Sequence, residues 1–184
     1  MFGIIKSHRI REINDYYATD PKATEFLIRL EKFNKNVWEC SCGEFHMSFV
    51  LEKHGYNVRK SDIIQRKDGI EKLDFLSSLN NSIWNGDIIT NPPYLFAQEF
   101  VEKSLSLIPY GNKVAMFLKL TFLEGSRRKK LFEQYPPMRV WVSSSRIMCS
   151  KNAMFNVRES SAVCYAWFVW EKGFNGIPQL KWFN

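Results

Sequence analysis

The stretch Gly86-Asp87-Ile88-Ile89-Thr90-Asn91-Pro92-Pro93-Tyr94 sets a short apolar run directly before two prolines. The run reads as a buried strand. Beyond it, Ala97, Phe100, Val101, Ser104, Leu105 and Ile108 recur at helical spacing. A strand that ends where the chain turns towards a helix marks the ligand edge of an open α/β sheet. Consecutive prolines fix the backbone there and remove two N–H donors, but their carbonyls remain as acceptors. Asn91 adds a side-chain amide and Tyr94 an aromatic ring. This set suits a planar amine, with two acceptors for its N–H groups and a ring for its face. A Pro-Pro turn beside a buried tyrosine is the structural alternative.

Working outward, Asp20 suits a helix N-cap and Pro21 the first helical position, ahead of a stripe of Ala23, Phe26, Leu27, Leu30 and Phe33. Residues 37–40 read as a strand broken by Gly43, and a helix is expected from about 44 to 54 with Gly55 as its cap. Residues 57–62 read as a second strand, the polar stretch to about 71 as a loop, 73–76 as a short apolar piece and 84–90 as a strand. Downstream, 113–118 is strongly apolar, 124–134 basic, 138–142 strand-like, and 161–170 the longest β-like run. A turn and a last short strand follow. Strands alternating with helices before a β-rich end predict an α/β, doubly wound sheet with right-handed crossovers. A single domain is expected over 1–184. The first dozen residues read as peripheral.

The chain has 184 residues, of which 45% are hydrophobic, enough for a full core. No stretch reaches the ~18 apolar residues of a membrane span, and the first residues do not read as a signal peptide. Cys40 and Cys42 stand too close for the usual zinc spacing, so reduced thiols in a cytoplasmic protein and no metal site are expected. The net charge of +7 is unevenly spread. Residues 1–110 carry −1 and residues 111–184 carry +8, with Arg127-Arg128-Lys129-Lys130 the densest cluster. A basic part beside a near-neutral part suits a polyanion, so these four are candidate nucleic-acid contacts, against the alternative of a solvated helix face.

Three weaker signals precede Asn91. Gly43 at the first strand–helix turn lets the backbone approach a ligand. Asp62 ends the next strand 19 residues later, close to the spacing at which an acid reaches ribose hydroxyls. Asp74-Phe75 offers a carboxylate and a ring to an adenine.

In this order the motifs resemble those of S-adenosylmethionine-dependent amino methyltransferases with an Asn-Pro-Pro-Tyr element, most of all small phage- or prophage-like DNA adenine-N6 methyltransferases. The resemblance covers about residues 14–170. It implies a Rossmann-like class I methyltransferase fold, a mostly parallel doubly wound sheet with an antiparallel C-terminal strand hairpin. It implies S-adenosylmethionine as cofactor, held by Tyr17, Thr19, Asp20 and Pro21 on the methionine side and by Glu39, Cys42 and Gly43 in the loop. Asp62 would meet the ribose, and Asp74 and Phe75 the adenine. Asn91, Pro92, Pro93 and Tyr94 are implied as catalytic, and nucleic acid, DNA before RNA, as partner. The sequence departs from the family at Cys40, where proline is common, and at Phe45, where a second glycine is common. Phe45 would crowd the cofactor or start the helix on a different face. A separate recognition domain has little room; only about 124–160 is available as a substrate-contacting insertion.

Asn91 Oδ1 and the Pro92 carbonyl would take the two N–H bonds of an exocyclic amine, and Tyr94 would stack on the base through its face rather than its hydroxyl. An RNA base or a protein glutamine methylated by the same four residues is the main alternative. A catalytically weak nucleic-acid-binding relic of the fold is a further one.

Overall fold

Strand β5, Asp87–Thr90, is buried at every residue, as the apolar run before the prolines requires. It lies inside an eight-stranded sheet in the computed structural model of the chain, which describes residues 17–145, 147, 149, 150 and 163–184. The expectations for residues 1–16, for most of 146–162 and for the start of the 161–170 run lie outside the described residues. The other strands are β1 (Ala18–Thr19), β2 (Asn36–Glu39), β3 (Asn57–Asp62), β4 (Glu71–Lys72), β6 (Lys113–Lys119), β7 (Arg139–Ser143), β8 (Cys149–Ser150), β9 (Tyr165–Glu171) and β10 (Gln179–Phe183). The helices are α1 (Pro21–Leu30), α2 (His46–Lys53), α3 (Ala97–Leu107) and α4 (Lys129–Gln134).

The sheet order is β10-β7-β9-β6-β5-β2-β3-β4, and β1 pairs separately with β8. From β4 to β6 all neighbours are parallel. β9 runs antiparallel between β6 and β7, and β10 joins the edge in parallel beside β7. This is the Rossmann-like, mostly parallel sheet, with β9 as its antiparallel strand near the C-terminus and, among the described residues, no paired hairpin beyond it, since β10 runs parallel to β7. Central parallel strands are covered on both faces and read as continuous apolar runs. Ile88 and Ile89 point to opposite faces. Ile88 packs with Trp38, Phe100 and Phe168, and Ile89 with Leu27, Phe117 and Trp167. Gly86 precedes β5 where the Asn36 carbonyl passes so close that an added Cβ would sit 2.4 Å from it.

Helix α1 starts as its sequence signals: Pro21 is at the first position and the Asp20 side chain accepts from Lys22 N–H at 2.9 Å. Its end is tied to the amino ends of β6 and β7. Glu31 is buried there and bonds Arg139 (Nη2 at 2.6 Å), Trp141 (3.0 Å) and Lys113 (3.1 Å). Burial alone would push its carboxyl up, but the bonds from Arg139, Trp141 and Lys113 outweigh that and hold it below the ordinary value.

Three elements differ from the sequence reading. Helix α2 begins at His46 rather than about residue 44, because Phe45 takes a left-handed backbone. The stretch read as a loop to about 71 ends in β4, two exposed residues on the sheet edge. The β1–β8 pair has two residues a side, too short for any periodic signal. Strand β7, in the middle of 124–160, is part of the main sheet.

Candidate active site

β2 has β3 on one side and β5 on the other, so the strand order reverses there and a crevice opens at the carboxyl ends of β2 and β5. The crevice holds a cavity of about 550 Å³. Tyr17, Thr19, Glu39, Cys42, Gly43, Asp62, Asp74, Phe75, Asn91 and Pro93 contribute to its wall. Asp20, Pro21, Pro92 and Tyr94 do not. Asp20 and Pro21 instead start α1, where the Asp20 carboxylate caps the helix.

The turn after β2 is braced by the end of β3. Cys42 N–H donates to the Ser61 carbonyl at 3.0 Å, and Gly43 N–H to Asp62 Oδ2 at 2.9 Å. Asp62 Oδ1 also accepts from Ile64 N–H at 3.0 Å and from Arg66 at 3.2 Å. The expected ribose acid therefore already holds the glycine turn in shape. Glu39 lies buried on the cavity floor, where burial pushes its pKa up to about 8. The Ser48 hydroxyl donates to it and partly offsets that rise, while Asp62 adds to it.

Phe45 does not crowd the cavity. Its φ of 74° and ψ of 15° are the left-handed values a glycine would take, at a cost of roughly 1–2 kcal/mol for a residue with a Cβ. Its ring packs with Cys42 and Ile70, meets Phe49 edge-on at 5.7 Å and has the Lys60 ammonium 4.9 Å away. Phe75 is mainly a core residue, stacked on Phe100 at 4.9 Å and edge-on to Trp38 at 5.2 Å. Asp74 Oδ1 accepts from Leu76 N–H at 3.0 Å, which shapes the turn that carries it.

Asn91 is held by its amide nitrogen. Nδ2 donates to the Tyr17 carbonyl at 3.1 Å and to Thr19 Oγ1 at 2.9 Å. A carbonyl only accepts, so the Tyr17 contact fixes which end of the amide is the NH₂. Asn91 Oδ1 is left buried with no hydrogen-bond partner among the described residues. Ser41 ties the two turns together, with its hydroxyl 2.8 Å from Thr90 Oγ1 and donating to the Asn91 carbonyl at 3.1 Å.

Tyr94 stands in an aromatic cluster beside the cavity. Its ring lies 6.1 Å from Tyr17, 26° from parallel, and 6.1 Å from Tyr165. The Lys119 ammonium sits 4.5 Å from its centroid. Its hydroxyl donates to Cys149 Sγ at 3.3 Å, so the hydroxyl is anchored as well as the ring. Burial raises the Tyr94 phenol well above its ordinary range and the Cys149 thiol to about 11. Both are neutral at physiological pH.

The basic cluster divides. Arg128 donates to the carbonyls of Phe122 (2.8 Å), Thr121 (3.1 Å) and Glu124, so its guanidinium holds the 121–128 turn together. Arg127, Lys129 and Lys130 are exposed, with Lys129 3.6 Å from Glu133. This segment follows the carboxyl end of β6, on the same edge of the sheet as Asn91. Among the described residues no His, Cys, Asp or Glu cluster could hold a metal ion. Among them, too, no helix is long and apolar enough to cross a membrane.

Sequence reasoning missed Ser41, Arg66, Leu95, Phe96, Phe100 and Cys149. Leu95 and Phe96 follow the Pro-Pro turn directly, and Phe100 was visible on the helical stripe. Cys149 had no local signal, because its place depends on the β1–β8 pairing.

No protein-family model and no curated protein matches this chain. Solved structures do. A Listeria monocytogenes protein assigned as a class I S-adenosylmethionine-dependent methyltransferase superposes with a TM-score of 0.63 at 13% identity, over 95% of this chain and 68% of that one. TrmN from Thermus thermophilus gives 0.57 at 18% identity, over 83% and 48%. The M protein of the type I restriction enzyme EcoKI gives 0.59 at 11% identity, over 86% and 44%. The chain spans about half the length of the last two. At these identities the likeness shows the class I methyltransferase fold.

Proposed function

We propose that the chain is an S-adenosylmethionine-dependent N-methyltransferase acting on an exocyclic amino group, with adenine N6 in DNA as the favoured target. The observation that carries this reading is Asn91. Its amide is oriented by Tyr17 and Thr19, and Oδ1 is a buried acceptor without a partner among the described residues. An unmade hydrogen bond of this kind costs about 1–3 kcal/mol, which an incoming N–H group would recover.

The residues present fit the cofactor. The cavity of about 550 Å³ is lined by apolar side chains (Leu73, Phe75, Phe100) and by polar ones (Glu39, Asp62, Asp74), which suits a nucleoside with a polar amino-acid tail. Asp62 and Asp74 are the residues for the ribose and adenine, and Glu39 with the Cys42-Gly43 turn for the tail. When bound, S-adenosylmethionine supplies a methyl group on a sulfonium, which an amine takes directly. Asn91 Oδ1 and the Pro92 carbonyl accept the two N–H groups of the amine and favour a pyramidal nitrogen with its lone pair free. Their contribution is positioning and preorganised electrostatics. Tyr94 provides the aromatic surface for a base taken out of the stack. Arg127, Lys129 and Lys130 supply cations for the phosphate backbone on the same edge.

Transfer of a radiolabelled methyl group to duplex DNA, single-stranded DNA, RNA and a glutamine peptide tests this reading. Label is expected in adenine of DNA. Label in RNA or peptide alone moves the target to that class, and no transfer to any of them overturns the activity.

A further inference from the structure

We infer that the β1–β8 strand pair is a positioning element for the catalytic turn, and that Thr19 acts by orienting Asn91 rather than by holding the cofactor. The inference rests on the amino methyltransferase reading above. The pairing sets Thr19 opposite Cys149 and brings both against the Asn91–Tyr94 turn. Asn91 Nδ2 donates to Thr19 Oγ1 at 2.9 Å. The Thr19 hydroxyl is therefore an acceptor there, and the strand register sets Cys149 directly across from it. Cys149 Sγ in turn lies 3.7 Å from Asn91 Nδ2 and accepts from the Tyr94 hydroxyl at 3.3 Å. One hydroxyl and one thiol thus link the two side chains that the reaction needs in register, the amide acceptor and the aromatic surface.

The Thr19 hydroxyl is engaged by Asn91 within this network, and Thr19 is buried. With the hydroxyl removed, Asn91 keeps the Tyr17 carbonyl as partner, so the amide is less restrained but not reversed. The loss should fall on the chemical step. Thr19 and Cys149 touch no reacting atom in this scheme and are positioning residues.

The test compares Thr19→Val, Thr19→Ser, Cys149→Ala and the unmodified full chain. For each, the cofactor Kd comes from calorimetry and the single-turnover rate from methyl transfer at saturating cofactor. Thr19→Val is expected to slow transfer about tenfold, the scale of one lost hydrogen bond, with Kd changed less than about twofold. Thr19→Ser restores the hydroxyl and should restore the rate. Cys149→Ala should slow transfer without moving Kd, and it carries the same split should Thr19→Val not fold. A loss that sits in Kd with the rate intact makes Thr19 a cofactor ligand and overturns the inference alone. So does full activity in both Thr19→Val and Cys149→Ala. An unmodified chain that binds cofactor but transfers no methyl group overturns the amino methyltransferase reading and this inference with it.

Discussion

Glu39 is an acid buried on the cavity floor, with its pKa pushed up to about 8 from an ordinary 4.5. A carboxyl whose folded-state pKa is raised binds its proton more tightly folded than unfolded. The folded state is therefore favoured below pH 4.5 and progressively penalised up to about pH 8. Stability should fall by up to about 1.4 kcal/mol per pH unit across that window, and Glu39→Gln should flatten the fall. Urea unfolding of both proteins at several pH values measures the difference; parallel profiles would mean that Glu39 titrates normally. Phe45 gives a second expectation at this scale. Phe45→Gly relieves the left-handed backbone but removes a buried ring, so the net loss should be about 1–3 kcal/mol. Cofactor affinity should not change, since the ring faces Cys42 and Ile70. Clearly tighter binding in the glycine variant would show that the ring does obstruct the cavity. Asn91, Glu39 and Asp62 were legible in the sequence because their positions follow from strand ends. The left-handed turn at Phe45 was not, because no residue type but glycine or asparagine announces such a backbone.

Element boundaries followed their local chemistry where that chemistry was strong. Asp20-Pro21 fixed the start of α1, and the apolar runs fixed β5 and β6. The two-residue strands β1, β4 and β8 escaped, since they are defined by their partners and carry no period of their own. The basic segment is a mixed case. Its charge was plain in the sequence, but the capture of Arg128 by three carbonyls depends on how residues 121–128 turn. Arg128→Ala should therefore lower stability by about 0.5–1.5 kcal/mol through loss of these hydrogen bonds. Neutralising Arg127, Lys129 and Lys130 together should leave the fold intact and flatten the salt dependence of DNA binding by up to about 3 units of log–log slope. Thermal unfolding and binding titrations at several salt concentrations separate the two; an unchanged slope returns the three exposed residues to a solvated surface.

Across the whole molecule, the two edges of the sheet do different work. The amino ends of β6 and β7 are joined to α1 through Glu31, whose lowered pKa stabilises the fold above the ordinary carboxylate range. That contribution is lost as pH falls through the lowered value. Glu31→Ala leaves Arg139 and Lys113 without their buried partner and should cost about 3–5 kcal/mol, read by urea unfolding at neutral pH. The carboxyl ends carry the cavity and the Asn91–Tyr94 turn. The sheet class was legible because strand and helix patterns alternate; the strand order across it, and the placing of β10 beside β7, depend on long-range packing that no local pattern encodes. The residues proposed for the cofactor sit on the turns after β2 and β3 and on residues 73–76, and the proposed amine acceptors on the turn after β5, at the wall of the same cavity. Asn91→Ala therefore separates binding from chemistry. In single-turnover transfer to adenine-containing DNA at saturating cofactor, the expected result is a rate reduced at least ~100-fold with near-normal cofactor affinity. Full activity in that variant would contradict the assignment of Asn91 as the acceptor that prepares the amine.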